Sequence, residues 1–189
     1  YQRYCNHHKK VTAQTLLLNP PFFYTNLNSL SAKFEEFLVV VQSLQPTYML
    51  ITETYLSSKI PDSLISIRNY SIYRCDRLNQ TGGGCCIYIN NTAFKEFKIT
   101  NISFDCPGCE SLALYFRSPT FDFCLVCVYR PPSTNSESDT ILYNSLNALL
   151  QQYNNLITFG DFNYPNLHWP FPDRNTSSED FLNMLENAN

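Results

Sequence analysis

The sequence predicts an α/β protein in which two β-sheets form a sandwich flanked by helices. Three observations carry that prediction. Apolar, β-rich runs of five to nine residues recur along the chain, separated by Gly, Pro, Asn and Ser. Two longer segments instead space their apolar residues at helical intervals. Their order is strand, helix, strand, several consecutive strands, helix, strand, which suits two sheets with outer helices better than an alternating βα wheel. With 189 residues, 44% of them hydrophobic and 15% aromatic, the chain can bury one substantial core, and a second domain is not expected.

Residues 1–20 hold neither period and are read as a tail or remnant, so the domain is placed at 21–189. Within that tail, HHKK precedes an apolar patch that Asn19, Pro20 and Pro21 interrupt, so no secretion signal is expected. FFYTN (22–26) reads as the first strand. SAKFEEFLVVVQSLQ (31–45) reads as a helix, with Ser31 as N-cap, a stripe of Phe34, Phe37, Leu38, Val41 and Leu44, and Pro46 as terminator. YMLITE (48–53) is a buried strand ending at Glu53. Strands follow at 70–74, 85–90, 111–116 and 121–129. The glycines at 82–84 are followed by neither Lys-Ser/Thr nor a helix, so a tight turn fits them better than a phosphate loop. A second helix spans 138–153, with Ile141, Leu142, Ser145, Leu146 and Leu149 on one side, and LITFG (156–160) is the last strand.

The net charge of −3 argues against a protein that grips nucleic acid by bulk positive charge, so any DNA contact must be local. No apolar run approaches the roughly 20 residues of a membrane-spanning helix, and no membrane partner is expected. Eight scattered cysteines in a chain of this size suit buried thiols in a reducing, intracellular compartment. The N-x-S/T triplets at Asn79, Asn90, Asn101 and Asn175 point weakly the other way, but such triplets arise easily by chance in an Asn-rich chain.

Polar residues stand where three apolar strands end: Asn26 after FFYT, Glu53 after YMLIT, and Asp161 with Asn163 after LITFG. Strand ends of one polarity would bring them to a common rim. Glu53 and Asp161 then suit a hard divalent cation such as Mg²⁺, which takes oxygen ligands and keeps several waters. The alternative for Asp161 and Asn163 is an Asx turn that bonds only the local backbone.

The ordered segments FFYTNLNSLSAKFEEF, LQPTYMLITETYL, IYRCDRLNQTGGGCCIYI, CESLALYF, VCVYRPP and ITFGDFNYPNLHW resemble the endonuclease domain of LINE-type non-LTR retrotransposons. That family lies within the endonuclease/exonuclease/phosphatase superfamily, with the apurinic/apyrimidinic endonucleases and deoxyribonuclease I. The resemblance runs from about Phe22 to the C-terminus. It implies a four-layer sandwich and a Mg²⁺-dependent DNA endonuclease, with Mn²⁺ as substitute, that nicks target DNA to prime reverse transcription. It implies DNA as partner, a reverse transcriptase domain in the parent polypeptide, and a nuclear site of action for an active element. By resemblance Glu53 is the principal metal ligand, and Asn26 helps hold metal and scissile phosphate. Tyr129 contacts the phosphate, while Asp161 and Asn163 orient the attacking water and the phosphate. Asn28 stands where many relatives carry an acidic residue. The family's closing strands, with a further Asp and an Asp-His pair, are expected beyond residue 189, and none of His7, His8 or His168 occupies that His position.

Other readings remain open at this level: an inactive remnant of such an element, or a superfamily phosphatase or sphingomyelinase acting on a small phosphoester. Arg74 and Arg77 are either a surface ion-pair loop with Asp76 or a DNA-backbone contact, and Arg130 beside Tyr129 has the same two readings, with the resemblance favouring a phosphate contact. Cys106-x-x-Cys109 and Cys124-x-x-Cys127 approach the spacing of a structural zinc site that would mark an interaction module, but residues three apart on a strand face opposite ways.

Overall fold

Among the described residues of the computed structural model, which are 22–78, 80–104, 106–164 and 181–184, eight strands form two four-stranded sheets. The first sheet orders β1 (Phe22–Asn26), β2 (Tyr48–Thr52), β4 (Cys85–Asn90) and β3 (Tyr70–Cys75) side by side. The second orders β5 (Lys98–Ile102), β6 (Glu110–Arg117), β7 (Asp122–Tyr129) and β8 (Leu156–Asp161). Each sheet has one parallel outer pair, β1 with β2 and β7 with β8, and its other pairs are antiparallel. A parallel pair needs a crossover, and α1 (Phe34–Leu44) and α2 (Ser136–Gln152) supply one each.

Side-chain alternation sorts β2 and β7 between two interiors. Tyr48 and Leu50 meet Leu125, Cys127 and Phe159 between the sheets, whereas Met49 and Ile51 face outward beneath Phe37 and Val41 of α1. Val126 and Val128 of β7 likewise turn outward beneath Leu142, Leu146 and Leu149 of α2. Four layers result, helix, sheet, sheet, helix, as the sequence predicts. No helix among the described residues is long and apolar enough to cross a membrane.

Element ends differ from the sequence reading for local reasons. α1 begins at Phe34, and Lys33 rather than Ser31 holds the N-cap position without a side-chain cap bond. The chain runs on beside β2 after Asn26, with Leu27, Ser29 and Leu30 donating backbone N–H to Thr52, Glu53 and Thr54, so helix geometry starts late. Leu44 is 41% exposed and lies outside the buried stripe of Phe37 and Val41. α2 starts at Ser136, because Asn135 accepts the Ser138 N–H at 2.9 Å and so caps the helix. Its buried face includes Tyr143, while Ile141 and Ser145 are half-buried.

The sequence reading misses β5, a polar edge strand with no alternating apolar signal, and a short 3-10 turn at Asp62–Ile65. Cys124 and Cys127 face opposite sides of β7, in separate cores, and among the described residues no three His, Cys, Asp or Glu side chains gather as a metal group. The expected tail at 1–20, His7, His8, His168 and Trp169 lie outside the described residues.

Candidate active site

The two parallel pairs end at one rim. Asn26 closes β1 and Asp161 closes β8, and Asn26 Nδ2 donates to Asp161 Oδ2 at 3.0 Å across the gap between the sheets. Tyr129 closes β7 in register with Asp161, and its hydroxyl lies within the influence of the Glu53 charge. Of the five residues expected from the sequence, Asn26, Asp161 and Asn163 are joined by hydrogen bonds, and Tyr129 and Glu53 stand beside them at the same rim.

Each is held from behind. Glu53 follows β2 with φ +51, and its carbonyl accepts the Ser29 N–H at 2.8 Å. The next two residues, Thr54 and Tyr55, donate their N–H groups to Gly84 and Gly83 carbonyls at 3.3 and 2.9 Å. The Glu53 turn is thus clamped between the 27–30 segment and the glycine run. Gly84 itself has φ +82, and a Cβ there would lie 2.5 Å from Thr54 Oγ1, so this position needs glycine. Glu53, Tyr55 and Asn163 share the left-handed backbone region, with φ of +51, +54 and +50. Non-glycine residues hold it at roughly 1–3 kcal/mol, and such strain clusters where side-chain placement matters.

Asp161 divides its oxygens. Oδ2 takes the Asn26 amide, and Oδ1 accepts the Asn163 N–H at 3.2 Å in an Asx turn, so the local and long-range readings of this residue hold together. Asn163 Nδ2 donates to the Arg130 carbonyl at 2.7 Å. The Tyr129 hydroxyl is pushed up to about 12, first by burial and then by the Glu53 charge, against the opposing pull of Arg77. It is therefore a protonated donor at neutral pH.

The arginines are engaged within the fold. Arg130 pairs with Asp139 at 2.6 and 2.9 Å, lies over the Tyr164 ring at 4.3 Å, and turns Nη1 toward the Phe162 carbonyl at 3.3 Å. It is only 6% exposed and braces the loop after β8. Arg74 spends its donors on Asp76, Asp62 and the carbonyls of Ser57 and Ile60. Arg77 pairs with Glu110 beside the Tyr129 ring. The sequence reading misses Tyr55, whose hydroxyl reaches Glu53 at 3.4 Å, and Glu110, which opens an apolar strand and shows its partner only in three dimensions.

The donor set fits a hard cation. Glu53 offers carboxylate oxygen, and Asn26, with its amide nitrogen committed to Asp161, has its carbonyl oxygen left to coordinate. Few protein ligands and several waters is the arrangement Mg²⁺ accepts.

Residues 123–189 match the endonuclease-reverse transcriptase family. Comparison with curated protein sequences gives no match. Among solved structures, the chain is similar to the endonuclease domain of TRAS1, a telomere-specific non-LTR retrotransposon. That likeness has 14% identity and a TM-score of 0.63, and it covers 87% of this chain and 68% of that one. It is also similar to the 3′ phosphatase NExo from Neisseria bound to product DNA hairpin, at 11% identity and a TM-score of 0.59, covering 88% and 69%. The catalytic domain of Xenopus laevis APE2 follows at 16% identity and a TM-score of 0.56, covering 85% and 65%. The chain spans about two thirds of the length of each of these structures.

Proposed function

We infer that this chain, which has the endonuclease/exonuclease/phosphatase fold and matches the endonuclease-reverse transcriptase family over residues 123–189, is the core of a Mg²⁺-dependent phosphodiester hydrolase that nicks DNA for a retroelement. The observation that carries this reading is the Asn26–Asp161 bond, which unites the two sheet rims beside Glu53 and Tyr129. In-line attack on a phosphodiester needs an oriented water, a cation and donors to the non-bridging oxygens, and the cluster offers a group for each.

Glu53 and Asn26 Oδ1 would hold the Mg²⁺, which supplies positive charge to the scissile phosphate. Asp161, fixed through both oxygens, orients the attacking water and receives its proton. The Tyr129 hydroxyl, protonated at neutral pH, donates to a non-bridging oxygen. Asn163 keeps its second amide hydrogen for the same phosphate once Nδ2 has bonded Arg130. In this reading a reverse transcriptase domain shares the parent polypeptide, the nicked strand primes synthesis, and the protein works in the nucleus.

The test is plasmid nicking with Mg²⁺ or Mn²⁺ by the 189-residue chain and by its full parent polypeptide, each with and without Glu53→Ala. Nicking that Glu53→Ala lowers about 10³-fold or more supports the assignment. A folded parent polypeptide that leaves DNA intact but hydrolyses a small phosphoester would overturn the DNA reading.

A further inference from the structure

The glycine run, Arg77 and Glu110 are not used by the reaction as described, yet they form one unit behind Tyr129. Arg77 Nε and Nη2 donate to the two Glu110 oxygens at 2.8 and 2.9 Å, a bidentate pair with both side chains mostly buried. Glu110 is the register partner of Tyr129 across β6 and β7. The Arg77 guanidinium carbon lies 5.5 Å from the Tyr129 ring centroid. Gly84 N–H approaches Glu110 Oε2 at 3.4 Å, and a Cβ on Gly83 would lie 2.4 Å from the guanidinium carbon. The glycines therefore make room for the ion pair on one side while holding the Glu53 turn on the other.

We propose that Arg77, clamped by Glu110 and housed by Gly83 and Gly84, is the positioning residue that aims the Tyr129 hydroxyl at the substrate phosphate. With Nε and Nη2 committed to Glu110, the side-on edge of the guanidinium is occupied and its charge is balanced within the fold. Its cationic face instead fixes the tyrosine ring, and Glu110 fixes the cation. Lysine cannot reproduce this, since it has neither the planar fork nor the stacking surface. The inference rests on the hydrolase reading above for its consequence, but the contact itself can be examined without any reaction.

The experiment is a double-mutant cycle of Arg77→Met and Tyr129→Phe in the full parent polypeptide, with Arg77→Lys and Glu110→Gln alongside. Each single change is expected to lower kcat about 10- to 100-fold with little change in KM. Arg77→Met should cost little more once Tyr129→Phe is present. Fully additive losses, or a loss confined to KM, would mean that Arg77 meets the substrate directly and would overturn the proposal. In parallel, the ¹³Cζ signal of Tyr129 is followed at neutral pH in protein labelled at tyrosine. Arg77→Met and Arg77→Lys should both move it while the melting temperature of the lysine variant stays near that of the parent. An unmoved signal in a folded variant overturns the proposal even if no DNA is ever cut. A moved signal without nicking by the parent protein leaves the positioning contact standing and rejects the hydrolase reading.

Discussion

Asp161 joins two hydrogen bonds that differ in reach: one to a backbone two residues away, the other to a side chain 135 residues away. Replacing it by asparagine keeps shape and removes the charge that, in the proposed reaction, receives the water proton. Asp161→Asn is therefore expected to cut the nicking rate about 10²- to 10⁴-fold while shifting the melting temperature only slightly. Assay and calorimetry on the same preparation check both halves of that statement. At this scale the sequence is legible wherever a polar residue interrupts an apolar run at a strand end, as for Asn26, Glu53 and Asp161. It is illegible for Glu110, because a carboxylate opening an apolar strand carries no local sign of an arginine 33 positions earlier. Arg130 is the instructive mixed case: its neighbour Tyr129 reaches the site, yet its own charge is taken up by Asp139 from α2.

Among the elements, β8 places the site and depends on one missing side chain. Gly160 lies opposite Val128 in the parallel pair, and a Cβ there would come within 2.2 Å of the Val128 carbonyl oxygen. Gly160→Ala must push β8 away from β7 just before Asp161, and a loss of about 1–3 kcal/mol is expected. Urea denaturation measures it, and a stability unchanged by the substitution would contradict the packing described here. Long elements with clear periods are readable, including α2 and β7, whose alternating faces fill two different cores. The start of α1 is not, because the backbone bonds that hold 27–30 against Thr52, Glu53 and Thr54 are long-range and leave no local pattern. β5 escapes because its residues are mostly exposed and polar, with little apolar surface to alternate.

Across the whole molecule, burial sets a direction for pH dependence. Burial pushes the Cys124 thiol up to about 12 from an ordinary 9.0, and Cys86 is raised further for the same first reason. Such groups prefer to stay protonated in the folded protein but ionise freely once unfolded. Their contribution to stability is complete below about pH 9 and is lost as pH rises toward their folded values. The urea midpoint is expected to fall steadily between about pH 9 and 11, and a midpoint that rises over that range would contradict the burial of these thiols.

The bond from Asn26 to Asp161 also bears on how the protein is made. It closes a loop of 135 residues, and holding such distant ends together costs roughly 4–5 kcal/mol of chain entropy. Neither sheet can supply that by itself, since each owns only one end. A nascent or half-folded chain would carry the right residues as unconnected fragments, harmless to any nucleic acid nearby. Chemical competence would then arrive in a single step, when the sheets dock, and its return during refolding would time that docking event.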